Sequence, residues 1–201
     1  MPMNKSADLK TDLKLAYLAV TSPLPNLYIG GLMITDGRGL PLEFRYTEPI
    51  QPTKIQQILY GQVLSSYIKR EVILETLLKS IESKFKCLLV EDEQLVALGP
   101  NKGFCVIRLT ETKAAPLGEL GKTEKISDTE VLLQSAHQAS PIRLNLPDLS
   151  QNPEMASENG QPIYAILTEA GQTMDVQEPL KRIHKALEII CQEAGITSAA
   201  S

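Results

Sequence analysis

Acidic side chains are the residues of this sequence with the most capacity for chemistry. Glu91, Asp92 and Glu93 are consecutive, and Asp36 and Glu48 follow two predicted strands. Gathered at one end of a sheet, such carboxylates could hold Mg²⁺, as they do in nucleases of the ribonuclease H type. That fold needs a carboxylate on its first strand, and the first predicted strand here has none. The three consecutive acids also occupy a predicted turn, where acids are usually only solvated, so the sequence predicts no metal site.

A second polar cluster lies in an apolar context and consists of Glu43, Arg45, Thr47 and Glu48. On an extended strand the first three side chains share one face. An acid and a base two residues apart could bind a charged ligand or a partner peptide. The alternative is a solvated sheet face carrying a surface ion pair worth at most about 1 kcal/mol.

Gln172 and Thr173 belong to the polar loop Thr168–Asp175, which we expect to connect the last strand to the last helix. Backbone N–H groups at a helix N-terminus favour anions, so the loop could present both side chains to a ligand. The alternative is a plain connector. Together with the polar cluster, these two residues form the predicted interaction surface.

Histidine and cysteine residues offer no recognisable catalytic or metal-binding arrangement. His137 and His184 have no neighbouring cysteine and no serine in a nucleophile elbow, so we expect surface histidines. Cys87, Cys105 and Cys191 are widely spaced, which predicts buried free thiols. Glycine-rich dinucleotide and phosphate-binding motifs are also missing from the sequence. The sequence therefore predicts no catalytic residue, no metal and no cofactor.

Composition limits the partners that can be expected. The chain has 201 residues, of which 43% are hydrophobic and 4% aromatic, with a net charge of -4. This charge disfavours broad electrostatic binding to nucleic acid or anionic lipid, and few aromatics are available to stack on bases. The basic groups Lys69–Arg70 and Lys181–Lys185 are interleaved with acids, as on ordinary salt-bridged helices. The N-terminus is polar and no apolar run could cross a bilayer, so we expect a soluble cytoplasmic protein without membrane contact and with nucleic acid an improbable partner.

Hydrophobic periodicity and turn residues predict the elements that must position these side chains. A hairpin is expected around the turn Asp36–Gly39. A capping box at Thr53 begins a long helix over 53–83 with a weak middle, and the last helix carries Pro179 in its first turn with Gly195 after its end. The last helix is predicted over Glu178–Ala194. The predicted strands are Leu13–Val20, Leu27–Thr35, Leu40–Thr47, Lys86–Glu91, Gln94–Leu98, Phe104–Thr110 and Ile163–Thr168.

Between residue 111 and about residue 160 the periodicity fades. Glu130–Ala136 has weak helical character, Ile142–Leu146 has strand character, and the remainder is expected to be a partly mobile insertion, especially Asp148–Gly160. The element order predicts a single α+β domain over residues 1–201. Its expected architecture is an antiparallel meander sheet with helices packed on one face, similar in element order to roadblock and profilin-like domains.

One block of sequence carries a resemblance. Gly31–Asp36 together with Gly39–Ile50 resembles a group of uncharacterised bacterial proteins, and Ala170–Asp175 adds a cyanobacterial character. The resemblance covers about a third of the chain and implies no activity.

Three functions remain open from the sequence. With no catalytic constellation, it favours a protein that is not an enzyme: a protein-interaction module (adaptor, scaffold or assembly subunit) whose partner is another protein or a second copy. The alternative is a carboxylate-dependent enzyme or nuclease-like factor in a nucleic-acid-processing or defence system, which convergence of Asp36, Glu48 and Asp92 would support. The third is a ligand-sensing domain with a pocket between helix 53–83 and the sheet.

Overall fold

A mixed β-sheet forms the centre of the molecule. The computed structural model describes residues 13–96, 103–147, 157–158, 161–162 and 164–196. The strands are β1 (Leu15–Thr21), β2 (Ile29–Thr35), β3 (Pro41–Tyr46), β4 (Cys87–Val90), β5 (Cys105–Thr110), β6 (Thr123–Lys125), β7 (Glu130–Leu133), β8 (Ile142–Asn145), β9 (Ser157–Glu158) and β10 (Gln161–Pro162). The first eight form one sheet in the order β3-β2-β1-β4-β5-β8-β7-β6, and the last two form a separate pair.

The helices cover both faces of this sheet. The long helix predicted after Thr53 is present, and both hydrogen bonds of its capping box to Gln56 are formed. Its weak middle is a 3₁₀ turn followed by a π-helical stretch. The helical segments are α1 (Lys54–Tyr60), the 3₁₀ turn Gly61–Val63, α2 (Leu64–Tyr67), the π-helical stretch Ile68–Leu74, α3 (Glu75–Ser80), α4 (Glu93–Val96), α5 (Ala165–Gly171) and α6 (Glu178–Glu193).

Strand directions divide the sheet into two kinds of pairing. β1, β2 and β3 pair antiparallel, which confirms the predicted hairpin. β4 pairs parallel with β1, and β5 pairs parallel with β4. All four residues of β4 are buried, as expected for a strand covered on both faces. The continuous apolar run of β4 is the sequence signal for this parallel part.

The expectation of an antiparallel meander with helices on one face is therefore wrong. The segment 54–80 is a crossover that returns the chain to the middle of the sheet, where β4 lies parallel to β1. The predicted strand Gln94–Leu98 does not follow β4, because residues 93–96 form the helical turn α4. β4 consequently reaches β5 through a second crossover and not through a hairpin.

Gly30 and Gly31 let a helical layer approach each face of β2. A Cβ atom on Gly30 would overlap the Cγ2 methyl of Ile73, in the π-helical stretch. A Cβ on Gly31 would lie 2.9 Å from Cγ2 of Ile183 on α6. Successive strand residues point to opposite faces, so the two glycines serve opposite layers. The space above each glycine is thus filled by side chains of the helical layers.

Two separate apolar cores result. α5 and α6 cover the face that carries Leu15, Tyr17 and Ala19. The segment 64–77 covers the opposite face, which carries Ala16 and Leu18. The third alternative placed a ligand pocket between this segment and the sheet. That space is occupied by buried side chains of the segment, including Leu64, Ile68, Ile73, Leu74 and Leu77.

Two further elements differ from their prediction, and one agrees. The predicted strand Ile163–Thr168 is helix α5, and the predicted helix Glu130–Ala136 contains strand β7. Both are short apolar runs, for which periodicity does not distinguish helix from strand. The predicted strand at Ile142–Leu146 is confirmed as β8.

The segment from residue 111 onward contributes to the sheet. β6, β7 and β8 extend it beyond β5, so the part of the chain expected to be an irregular insertion contributes three strands to the main sheet. Apart from Ser157–Glu158, which form β9, the segment Asp148–Gly160 that was predicted to be mobile lies outside the described residues.

Gly30→Ala should lower the free energy of unfolding by about 1–3 kcal/mol, because the added methyl must displace a branched side chain in a packed layer. Urea unfolding at equilibrium measures this change. Gly171→Ala is the control, since its nearest neighbour to an added Cβ lies at 3.4 Å and its backbone is helical. Equal losses in both variants would contradict the role assigned to Gly30.

Candidate functional site

A cleft opens at the carboxyl ends of β1 and β4. The cleft lies at the carboxyl ends of two neighbouring parallel strands, which is where ligands of open α/β sheets bind. The cleft has a volume of about 820 Å³. Its lining comes from the end of β1, the residue after β4, and α6, and includes Thr21, Pro23, Glu91, Lys181, His184 and Lys185.

Glu91 and His184 form a carboxylate–imidazole pair in this cleft. The distance from Oε2 of Glu91 to Nε2 of His184 is 3.2 Å, and both side chains remain partly open to solvent, at 36% and 40% exposure. Gln177 donates from Nε2 to Oε1 of Glu91 at 3.3 Å. The hydrogen bond from His184 is the main cause that lowers the pKa of Glu91; partial burial opposes it, and Gln177 and the charge of Lys181 reinforce it.

The start of α6, which carries His184, is fixed to the loop after β7. Ser135 is fully buried; its hydroxyl donates to the carbonyl of Met174 at 2.8 Å and accepts from the N–H of Val176 at 2.9 Å. Asp175 accepts the N–H of Gln177 at 2.9 Å, which satisfies a free donor at the helix start. The helix is therefore positioned before any ligand arrives.

Basic side chains surround the pair. Lys181 lies one turn before His184, and its Nζ is 3.7 Å from the Glu111 carboxylate. Lys185 also lines the cleft, and it has no ion pair among the described residues. Arg108 donates from Nε to the backbone carbonyl of Glu91 at 3.0 Å. The cleft thus offers cations for an anionic ligand beside a pair of groups that can accept and donate protons.

The acids that were candidates for a metal site do not converge. Asp36 is buried in the turn after β2, where Oδ1 accepts the N–H groups of Arg38 and Leu40 at 2.8 and 2.9 Å. Because β2 runs antiparallel to β1, this turn and Asp92 lie at opposite ends of the sheet, about 20 Å apart. Glu48 follows β3, about 14 Å across the sheet from β4.

The three consecutive acids after β4 point to different partners. Glu91 bonds to His184 on one face of the sheet. Asp92 pairs with Lys69 in the opposite helical layer, and Glu93 lies 3.4 Å from Arg108. In the described ranges, no group of three His, Cys, Asp or Glu side chains could hold a metal ion.

The predicted polar cluster on β3 makes hydrogen bonds and an ion pair within the fold. Glu43 pairs with Arg45 at 3.1 Å and accepts the N–H groups of Glu82 and Ser83, both at 3.2 Å, so it holds the chain after α3. Thr47 is buried and accepts the N–H of Gly30 at 3.1 Å. Of the three side chains predicted to share one face, Arg45 is exposed, Glu43 is partly buried and Thr47 is buried.

The polar loop candidates lie away from the main cleft. Gln172 and Thr173 follow α5, and the Thr173 hydroxyl is 3.4 Å from the carbonyl of Gly37. Thr173 lines a smaller cleft of about 500 Å³ together with His137, Arg38 and Arg182. The last helix does follow this loop, and the Asp175 carboxylate accepts the N–H of Gln177 just before the helix begins.

The pairing of Glu91 with His184 is the feature that sequence reasoning missed. The two residues are separated by 93 positions, and His184 alone has the pattern of a surface residue on an amphipathic helix. Only the parallel placement of β4 beside β1 brings the end of β4 under α6. The buried thiols, by contrast, are confirmed: Cys87, Cys105 and Cys191 are free and buried.

Comparison with solved structures finds proteins of similar fold. No protein-family model and no curated protein sequence matches the chain. The catalytic domain of human Endonuclease V is similar with a TM-score of 0.60 at 12% identity, covering 92% of this chain and 85% of that one. An Argonaute of Marinitoga piezophila in complex with 5′ OH guide RNA is similar with a TM-score of 0.50 at 10% identity, covering 90% of this chain and 30% of that one. The chain therefore has a fold similar to that of the Endonuclease V catalytic domain.

The donor set does not fit the carboxylate-held Mg²⁺ of ribonuclease H-type nucleases. On β1, the side chains that face α6 are Leu15, Tyr17 and Ala19, and none carries a carboxylate. Tyr17 is fully buried, and burial raises the pKa of its hydroxyl, which remains neutral. Glu91 at the end of β4 therefore has no acidic counterpart on the first strand, and we derive no step through a metal.

These neighbours correct the function and partners expected from the sequence. The prediction of a non-enzymatic protein-interaction module with a protein partner is wrong, because the fold is shared with a nuclease catalytic domain and with an Argonaute bound to RNA. The expectation that nucleic acid is an improbable partner is corrected by the same structures. Among the helices the structure describes, none has the length and apolarity needed to cross a membrane.

Replacing Glu91 with Gln should reduce stability at neutral pH, and this reduction should shrink as the pH falls. A carboxyl whose pKa is lowered on folding contributes stability above its ordinary pKa of about 4.3, and the contribution is lost as the pH falls through the lower folded pKa. Urea unfolding of wild type and Glu91→Gln at a series of pH values measures the difference. In a His184→Ala background most of the effect should disappear; a difference independent of pH in both backgrounds would contradict the pairing.

Proposed function

We propose that the protein is a nuclease-like factor that binds nucleic acid in the cleft at the carboxyl ends of β1 and β4, within a nucleic-acid-processing or defence system. The observation that carries this proposal is the placement of Lys181, His184 and Lys185 along one side of that cleft. The fold supports it, since the similar solved structures are an endonuclease catalytic domain and an Argonaute with guide RNA.

The charge distribution favours recognition of the phosphate backbone. The net charge of the chain is -4, so attraction to a polyanion must come from a local group of cations. Lys181 and Lys185 are one turn apart on α6 and line the same cleft, which is the arrangement needed to contact adjacent phosphates. Arg108 is held against the backbone of Glu91 and adds positive charge behind the pair.

Base-specific recognition has little support in this cleft. The described residues that line it include no Phe, Tyr or Trp side chain on which a base could stack. Contacts to phosphate position a nucleic acid without selecting its sequence. We therefore expect binding that depends strongly on salt and weakly on sequence.

The proposal also concerns the setting of the protein. The resemblance of Gly31–Asp36 and Gly39–Ile50 to a bacterial group supports a bacterial origin. The three free, buried thiols suit a reducing compartment, so we place it in the cytoplasm with the nucleic acid it would bind.

Lys181→Ala and Lys185→Ala should each weaken binding of short single-stranded oligonucleotides and each lower the salt dependence of the association constant, by about 1 in the log–log slope. Fluorescence anisotropy with labelled oligonucleotides across a salt series measures both quantities. The expected loss has the same size for different base sequences.

Lys54→Ala is the matched control, because Lys54 is an exposed lysine at the start of α1 in the other helical layer. It should bind as the wild type does. Absence of binding by the wild type at low salt, or equal losses for Lys54 and Lys181, would overturn the proposal.

A further inference from the structure

We infer that the cleft cleaves RNA without a metal ion, using Glu91 and His184 as the acid–base pair and the substrate's own 2′-hydroxyl as the nucleophile. This inference rests on the proposed function, because it requires that nucleic acid enters the cleft. It goes further by naming the substrate class and the two groups that carry the reaction.

The first support is the pair itself. A carboxylate and an imidazole 3.2 Å apart, each more than one third exposed toward a cleft, can exchange a proton with each other and with a bound ligand. Gln177 and the backbone contact of Arg108 hold Glu91 in place. Ser135 and Asp175 hold the start of the helix that carries His184. Both reacting groups are therefore fixed before substrate arrives, as acid–base catalysis requires.

The second support is that the described residues of this cleft do not fit a metal ion held by carboxylates. β1 carries no carboxylate, and the described residues at this end of the sheet form no group that could hold the ions needed to activate water for attack on a phosphodiester. A phosphodiester of RNA carries a different nucleophile, the neighbouring 2′-hydroxyl, which needs only a base. DNA has no such group, so this chemistry selects RNA.

The reaction balances within the pair. The 2′-oxygen attacks phosphorus and forms a P–O2′ bond, while its proton passes to the carboxylate of Glu91. The P–O5′ bond breaks, its electron pair goes to O5′, and that oxygen takes a proton from the imidazolium of His184. The products are a 2′,3′-cyclic phosphate and a 5′-hydroxyl. The proton on Glu91 then returns to His184 across their direct contact, which restores the starting state.

The charged groups around the pair suit a phosphorane-like transition state. Lys181 and Lys185 on α6 lie beside the position of the phosphate and can stabilise the negative charge that develops on its oxygens. Glu188 on α6 lines the same cleft, and Glu111 lies near Lys181. On the sheet side, Arg108 faces Glu91 and is shared with Glu93.

The test compares an RNA oligonucleotide with its all-deoxy analogue, both incubated with the full chain in excess EDTA. We expect the RNA to be cut and the analogue to remain intact, with fragments that carry a 2′,3′-cyclic phosphate and a 5′-hydroxyl by mass spectrometry. His184→Ala and Glu91→Gln should each reduce cleavage by at least about 100-fold. In both variants, the affinity for the deoxy analogue should fall by much less than the rate of cleavage. His184→Ala should change one limb of the pH–rate profile of cleavage, and Glu91→Gln should change the other. A purely structural role of the two residues would not produce this difference.

Failure of this inference and failure of the proposed function give different results. If the deoxy analogue binds but RNA stays intact, the cleavage reaction is wrong and nucleic-acid binding stands. If neither binds at low salt, both are wrong. Cleavage that needs Mg²⁺, or that survives in His184→Ala purified in the same way, overturns the assignment of the acid–base pair. Lys54→Ala should cleave at the wild-type rate, and circular dichroism checks that each variant is folded.

Discussion

The close approach of helices to both faces of β2 is the constraint on which the rest of the structure depends. Gly30 admits the layer that contains Ile73, and Gly31 admits α6 through Ile183. With side chains at these two positions, neither layer could reach the packing distance that the buried cores require. The glycines therefore convert a simple hairpin sheet into the middle layer of a three-layer structure.

The position of α6 on this sheet decides where chemistry can take place. Ile183 packs onto Gly31, so the next residue, His184, lies at the border of the packed surface. The parallel strand β4 ends below it, and the first residue after β4 is Glu91. At this border the Glu91 carboxylate and the His184 imidazole are partly desolvated and still accessible. Their hydrogen bond is therefore stronger than that of a fully solvated ion pair.

The sequence predicts the local features of this fold better than its connections. The hairpin around Asp36–Gly39 and the limits of α6, with Pro179 in its first turn and Gly195 at a φ of 72°, follow from short-range rules. The parallel pairing of β4 could not be derived in the same way, because it depends on a crossover whose destination is a non-local choice. The continuous apolar run of β4 is a signal for burial on both faces, but it does not specify the neighbouring strand. The candidate site depends on that neighbour, so Glu91 and His184 could not be brought together from the sequence.

The absence of a carboxylate on β1 explains why Glu91 pairs with an imidazole. In a fold whose first strand supplies an acid, the acid after the adjacent parallel strand can share a cation with it. Here Ala19 and the buried Tyr17 give Glu91 no such partner on β1, and an isolated half-buried carboxylate is costly unless it is hydrogen-bonded. His184 and Gln177 satisfy it instead. Because β1 carries no acid, the carboxylate of Glu91 is available for an imidazole, and the lysines of α6 supply the positive charge that a polyanionic ligand requires.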